Sequence, residues 1–314
     1  MSVPFSRALT AAVVAIATLT ACGGSSGGTQ VSSSAAAPAG RVTHPQSAHV
    51  AVILMENEEY GGVIGSPAAP FINGLARRYG LAEAMYAVTH PSLPNYLALT
   101  GGSAFGIGSD CTSCAVHGSS IVNQLESAHI SWKAYMEDLP RPCFTGASAG
   151  DYAKKHDPFA YYTQITNNRA WCSRIVPLDS FFADERSDSL PRFIWITPNL
   201  CHDMHDCSVA TGDNFLASLV PRLLRSLGHG GLLFLTWDEG SSDAGCCRLA
   251  SGGHIVTIVA GPGAKRGARM GTPTDHYSVL RTIEEALGLP RLRGAACGCS
   301  ASLRPLLDPS AGNL

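Results

Sequence analysis

The chain is short of charge and shorter still of lysine. Charged residues make up 15% of its 314 positions, and 22 Lys and Arg against 24 Asp and Glu leave a net charge of -2. That balance excludes the broad basic field of a nucleic-acid binder, so no nucleic-acid partner is expected. Only four of the basic residues are lysines, against 18 arginines, whose planar forks suit oxyanions. No internal repeat occurs, which excludes a solenoid. Hydrophobic residues at 45% are too many for a disordered chain and enough for a sizeable core. The length allows two domains, although α/β folds often run to about 250 residues as one.

The amino-terminus reads as an address. A short segment with Arg7 as its only charged side chain precedes Ala8–Thr20, a run without charge. That run is too short for a spanning helix, which needs about 20 residues, and right for a signal-peptide core. It ends in Leu19-Thr20-Ala21-Cys22, which resembles a bacterial lipobox with Cys22 as the lipidated first residue. An ordinary secretory signal with a chance cysteine is the plainer alternative. Residues 23–43 are rich in Gly, Ser and Ala and read as a flexible linker. The expected organisation is a signal peptide over 1–21, a lipidated cysteine and linker over 22–43, a folded domain over 44–294 and a tail over 295–314. The protein is expected to be exported, held to the membrane by a lipid anchor or secreted.

Ten further cysteines remain: Cys111, Cys114, Cys143, Cys172, Cys201, Cys207, Cys246, Cys247, Cys297 and Cys299. An even number in an exported chain predicts disulfides, with connectivity open. The rival is structural zinc on Cys111/Cys114 and Cys297/Cys299, whose irregular spacing fits it poorly.

Continuous apolar runs at 49–55, 130–136, 193–197, 232–237 and 255–260 read as strands buried on both faces, as in a parallel sheet. Helical patterns lie between them at 70–79, 94–99, 121–128, 214–227 and 277–287. The alternation predicts one α/β domain with a mostly parallel central sheet. Residues 140–183 read as a loop-rich insertion over one end of it. Ligands of such sheets bind beyond the carboxyl ends of the strands. Polar residues cluster there: Glu56-Asn57, then residues 198–206, then Asp238-Glu239.

Each cluster has a chemical and a plain reading. Glu56 and Asn57 offer oxygen ligands to a cation, or a turn. Ser92 stands at a predicted helix start, where free N–H groups and the dipole suit a phosphate or a nucleophilic hydroxyl; the plain reading is an N-cap. Asn95, one turn on, is a candidate phosphate donor. His202 and His205 crowd with Asp203 and Asp206 after a strand, fit for metal, phosphate or proton transfer, or for a solvated loop. Asp238 and Glu239 are adjacent carboxylates with no Lys or Arg before Arg248. They repel each other unless a cation sits between them or they splay into solvent.

Together these clusters resemble the phosphoesterase family that holds bacterial phospholipases C and acid phosphatases, most of all the short secreted mycobacterial acid phosphatases, which also act on phosphoinositide phosphate. The resemblance is carried, in family order, by Met55-Glu56-Asn57, His90-Pro91-Ser92-Leu93-Pro94-Asn95-Tyr96, Lys155-His156-Asp157-Pro158-Phe159, Asp203-Met204-His205-Asp206, Trp237-Asp238-Glu239 and Asp275-His276-Tyr277-Ser278-Val279-Leu280. It implies an α/β, alkaline-phosphatase-like three-layer sandwich with a mostly parallel central sheet. It implies Ser92 as a nucleophile forming a phosphoserine. It implies one divalent metal held by Glu56, Asn57, Asp238 and Glu239 and touching Ser92. Asn95, His156 and His205 become phosphate donors, with His205 also protonating the leaving group. His202, His254 and His276 are further donors by weaker matches. The two-metal branch of the superfamily has Asp-His where this chain has Asp238-Glu239, so histidines are expected to replace the second metal. Oxygen donors favour Ca, Mg or Mn over Zn.

The expected activity is hydrolysis of phosphomonoesters, with an acidic optimum from protonated histidines. The expected partner is a phosphorylated small molecule or a phospholipid head group. One alternative is a phospholipase C-type phosphodiesterase, whose long members carry an extra carboxyl-terminal region not seen here. The other is a non-enzymatic surface lipoprotein that binds a phosphate ligand or metal, for which a nucleophilic serine has no use. The oligomeric state is not expressed in the sequence.

Overall fold

The computed structural model describes residues 48–311, so the expected signal peptide, linker and lipidated Cys22 lie outside the described residues. The strands in chain order are β1 (Val50–Met55), β2 (Gly80–Tyr86), β3 (Trp132–Met136), β4 (Ser148–Ala149), β5 (Tyr152–Ala153), β6 (Ile175–Pro177), β7 (Phe193–Thr197), β8 (Leu232–Trp237), β9 (His254–Ala260), β10 (Arg269–Met270) and β11 (Thr274–Asp275). Nine of them form one sheet in the order β10-β2-β9-β8-β1-β7-β3-β6, with β11 also on β2. Strand β9 runs antiparallel to both neighbours, and the other pairings are parallel. Strands β4 and β5 make a separate antiparallel pair inside the segment 140–183.

Every residue of β1, β7 and β8 is buried. Successive side chains point to opposite faces, so full burial means that both faces of the sheet are covered. The cover is helical. Pro70–Arg78 packs against Val209–Ser226, and Ser92–Gly101 against His276–Leu287. The result is the α/β three-layer sandwich with a mostly parallel sheet that the sequence led us to expect.

Two helix starts are capped from far away in the chain. Asp213 accepts from the backbone N–H groups of Phe71 at 3.1 Å and Ile72 at 2.8 Å. Asp110 accepts from Leu93 N–H at 2.9 Å. The carboxyl end of Ser92–Gly101 is closed by Gly102 at φ 69°, where an added Cβ would meet the Leu292 carbonyl oxygen at 2.6 Å. A side chain there is therefore excluded by both conformation and space. Residues 295–311 pack onto the same body, with Leu303 and Leu306 fully buried and Lys265 N–H donating to the Leu306 carbonyl at 2.8 Å.

The described cysteines stand in bonded pairs: Cys111–Cys114, Cys143–Cys172, Cys201–Cys207, Cys246–Cys247 and Cys297–Cys299. Cys143–Cys172 ties the loop after β3 to the short helix Arg169–Cys172. Mass spectrometry of unreduced protein should find few or no free thiols. Several free thiols with stoichiometric zinc would restore the metal reading of the cysteine pairs.

Candidate active site

The carboxyl ends of β1, β7 and β8 bring Glu56, Asp203, Asp238 and Glu239 into one cluster, and two of them, Glu56 and Glu239, face the Ser92 hydroxyl. Ser92 Oγ lies 3.1 Å from Glu56 Oε2 and 3.2 Å from Glu239 Oε1, donating to one or the other. Ser92 is the first residue of its helix, not the cap: Pro91 holds the cap position and Asp110 satisfies Leu93 N–H. The hydroxyl is thereby free of the commonest duty of a serine at a helix start. Tyr96, one turn on, donates its phenol to Glu56 Oε1.

Glu56, Asp203 and Asp238 are fully inaccessible and Glu239 is 7% exposed. Burial is the main cause that pushes their carboxyls up, and mutual repulsion adds to it. Asp238 rises to about 7, with Glu239 the nearest repelling charge. Asp203 rises to about 8, with Asp238 and Asp206 contributing. Glu56 stands well above the usual carboxylate range through burial, then Asp238 and Asp203. Burial also raises Glu239, against the opposing pull of His90, whose Nδ1 meets Glu239 Oε2.

Asp238 Oδ1 accepts from Asn57 N–H at 3.1 Å and Glu239 N–H at 2.6 Å. Its Oδ2 is buried with no hydrogen-bond partner. A buried carboxylate oxygen without a donor costs free energy that a bound cation removes. The crowded oxygen donors therefore fit a hard divalent ion. Asn57 sits at φ 54°, a left-handed conformation that asparagine tolerates, so that its N–H reaches Asp238.

On the other side of Glu56 stand two histidines. His156 Nε2 is 3.2 Å from Glu56 Oε1, and its Nδ1 is 3.1 Å from Asp203 Oδ2. Burial, then repulsion from Lys155 and His205, holds His156 well below the usual imidazole range. The two carboxylates that would oppose this are themselves pushed up by burial, so we read the ring as neutral. Glu56, His156 and His205 place ligand atoms within 4.8 Å of one another, close enough to hold a metal ion. His205 Nδ1 meets Asp206 Oδ1 at 2.6 Å and its Nε2 faces Lys155 Nζ at 3.0 Å. Lys155 also donates to Asp110 at 3.2 Å.

The other expected phosphate donors have protein partners of their own. Both N–H bonds of the Asn95 amide go to backbone carbonyls, Thr89 at 2.7 Å and Pro91 at 3.2 Å, while its oxygen accepts from Thr89 N–H at 3.0 Å. It holds the loop that carries the cis His90–Pro91 bond. His202 Nδ1 is tied to Glu137 at 2.9 Å and its ring stacks on Phe215 at 4.6 Å. His254 stacks between Tyr60 and Tyr86 and its Nε2 meets the Glu83 carbonyl at 2.9 Å. His276 is fully buried, its Nε2 at 2.9 Å from the Trp237 carbonyl and its pKa lowered to about 4 by burial. It braces the strand end that presents Asp238. Sequence reasoning missed Asp203, Asp110, Lys155, His90 and Tyr96. Four of them, His90, Tyr96, Lys155 and Asp203, stand inside the quoted motifs, which is signal enough to nominate them; Asp110 lies outside every motif.

The arrangement is a serine hydroxyl beside buried carboxylates with basic side chains next to them. The pattern of the Phosphoesterase family matches residues 62–290. The chain belongs to the Phosphoesterase family. It is a hydrolase of phosphoric esters. It is 34% identical over 268 residues to the phosphatidylinositol-3-phosphatase of Mycobacterium tuberculosis, covering 84% of this chain and 83% of that one. It is 30% identical over 261 residues to an acid phosphatase of Aspergillus fumigatus, covering 79% of this chain and 56% of the fungal one. Among solved structures, a phosphonate monoester hydrolase from Silicibacter pomeroyi aligns with a TM-score of 0.56 at 13% identity, over 82% of this chain and 76% of that one. A protein of the alkaline phosphatase superfamily from Vibrio parahaemolyticus aligns at 0.53 and 13% identity, over 80% and 70%. At that identity both speak for the fold alone.

Proposed function

We propose that the protein is an exported, metal-dependent acid phosphatase that cleaves phosphomonoesters through a phosphoserine on Ser92. The observation that carries this reading is the Ser92 hydroxyl, relieved of capping and placed between Glu56 and Glu239. Glu56, Asn57, Asp238 and Glu239 would hold one divalent cation beside Ser92, with His156 and His205 adjoining. When bound, the cation supplies positive charge that favours the serine alkoxide and screens the phosphate from the carboxylates.

The chain's own groups do the rest. The Ser92 proton passes to one of the two carboxylates it faces, Glu239 being braced by His90. Ser92 Oγ then attacks phosphorus, and the bond to the leaving alcohol breaks. Lys155, already directed at His205, meets the negative oxygens of the phosphoryl group. His205 gives a proton to the departing alkoxide. His205, now neutral, takes a proton from a water that attacks phosphorus opposite Ser92; the bond from phosphorus to Oγ breaks, the proton held by the carboxylate returns to Ser92, and phosphate leaves.

Phosphoinositide phosphates are included as substrates because the mycobacterial relative is named for one. The decisive assay compares p-nitrophenyl phosphate with bis(p-nitrophenyl) phosphate and a choline phosphodiester. We expect the monoester to be hydrolysed at least about tenfold better by kcat/KM. A preference for diesters would replace this reading with a phospholipase C-type activity, and no hydrolysis of either would leave a binding protein. Export is tested separately: Cys22→Ser should free the protein from membranes or block its maturation. Wild-type protein wholly soluble in culture medium would replace the lipid anchor with a simple secretory signal.

A further inference from the structure

The end of the sheet opposite the active site carries a groove that the phosphatase reading does not use. It occupies about 870 Å³ between the helix Pro70–Arg78, the end of Val209–Ser226, the turn after β9 and residues 308–309. Tyr79 stands just before β2, and Gly261 just after the antiparallel β9, so the groove lies at the amino ends of the parallel strands. Glu56, Asp203 and Asp238 lie at their carboxyl ends.

Arg78, Arg225, Lys265 and Arg266 rim the groove and are exposed. None of the four forms an ion pair among the described residues. Arg78 lies over the Tyr79 ring at 5.3 Å. The groove's one acid, Asp308, accepts from Ser310 N–H at 2.9 Å and from its hydroxyl at 2.7 Å. Phe71, Leu224 and Pro262 supply apolar surface between the cations. The Ser310 hydrogen bonds and, after them, the Lys265 charge hold the Asp308 carboxyl below its ordinary value. The excess of cations around partly apolar ground matches a surface of anionic head groups over hydrocarbon.

The chain enters the domain at this same end. His49 N–H donates to the Leu227 carbonyl at 2.9 Å, and Leu232 N–H donates back to the His49 carbonyl at 2.9 Å. Leu227 is two residues from Arg225. In the sequence, residues 23–47 separate this point from Cys22.

We propose that this basic groove docks the domain on the anionic lipid surface of the membrane that carries its anchor. A polybasic patch adds to a lipid anchor by its attraction to anionic lipids, and sets which face of the domain meets them. Docking by the amino ends of the strands turns the active site away from that membrane. Substrate then enters from the aqueous side, as a soluble monoester or a head group on another surface, and not from the lipids underneath. The inference rests on the anchored reading only for bringing the groove near a membrane.

The test uses the chain from residue 23 onward, which carries neither the apolar segment 8–20 nor the lipidated cysteine, in flotation with vesicles of phosphatidylcholine alone or with phosphatidylglycerol. Binding should require phosphatidylglycerol and weaken with salt. Arg78→Glu, Arg225→Glu, Lys265→Glu and Arg266→Glu together should lower it more than tenfold while p-nitrophenyl phosphate hydrolysis is kept. If that variant fails to fold, Lys265→Gln with Arg266→Gln should still reduce binding about fivefold for each cation removed. Equal binding by wild type and variant overturns the proposal. So does calorimetry in which wild type takes up inorganic pyrophosphate through these residues but ignores anionic vesicles, which would make the groove a soluble-anion site. Mass spectrometry of Cys22 in wild type reports on the anchor independently, so failure of anchoring and failure of docking are told apart.

Discussion

Ser92→Ala is expected to fold, melt within a few degrees of wild type and lose turnover by a factor on the order of 10⁴ or more. The stability half follows from capping. Losing a side-chain cap costs about 1 kcal/mol, but here the cap comes from Asp110 to Leu93 N–H and survives the substitution. What the variant loses is one hydroxyl between Glu56 and Glu239, both of which keep other partners in Tyr96 and His90. The activity half follows from the covalent route: without Oγ no phosphoserine forms. Rapid acid quench of wild type with a labelled monoester should trap label on the peptide containing Ser92. A folded variant that turns over at a tenth of the wild-type rate would show that water attacks phosphorus directly.

The central sheet was legible because burial on both faces writes itself as continuous apolar runs, as in Val50–Met55 and Leu232–Trp237. Strand β2 was not: Gly80–Tyr86 contains Glu83 and lies towards the edge, where its outer half meets solvent. Strand β6 is three residues ending in proline, too short to leave a pattern. The long helix begins at Val209, five residues before its apolar pattern becomes visible at Asn214. Its first turns hold Thr211, Gly212 and Asp213, and Asp213 serves another helix. The site divides along the same line. Glu56, Ser92, Asp238 and Glu239 sit at strand ends or a helix start, which local sequence announces. Asp110 reaches the site only through the fold, capping a helix from 17 residues away while holding Lys155. The histidines show the converse. A histidine in a motif was read as a donor to phosphate, and the fold decides which ring nitrogen it commits elsewhere: His202, His254 and His276 place one on Glu137, Glu83 and Trp237. Residue type gives chemical capacity, and the partner that uses it is set by tertiary structure.

Asp238→Asn is expected to weaken divalent-cation binding and lower kcat/KM together, each by more than about 100-fold, the upper range for residues that only support a metal ligand. Asp238 is the natural focus because its Oδ2 is buried without a donor while Oδ1 is held by Asn57 and Glu239 N–H groups. The same crowding gives a signature in stability. In chelated protein Asp238 is raised to about 7 and Asp203 to about 8, and burial raises Glu56 as well, so the folded state holds protons that the unfolded state has released. Stability then falls as pH rises through these values. Below the ordinary imidazole range the lowered His156 and His276 pull the other way, since unfolding lets them charge. The clean window is therefore about pH 6.5 to 8. There the Tm of chelated wild type should drop as pH rises, and the drop should be smaller in Asp238→Asn, which cannot titrate at that position. Adding a divalent cation should raise the wild-type Tm, and raise it more at pH 8 than at 6.5, because binding must displace fewer protons. A rigorously chelated wild type that keeps full activity, or a Tm indifferent to cation across that window, would remove the metal from the reaction.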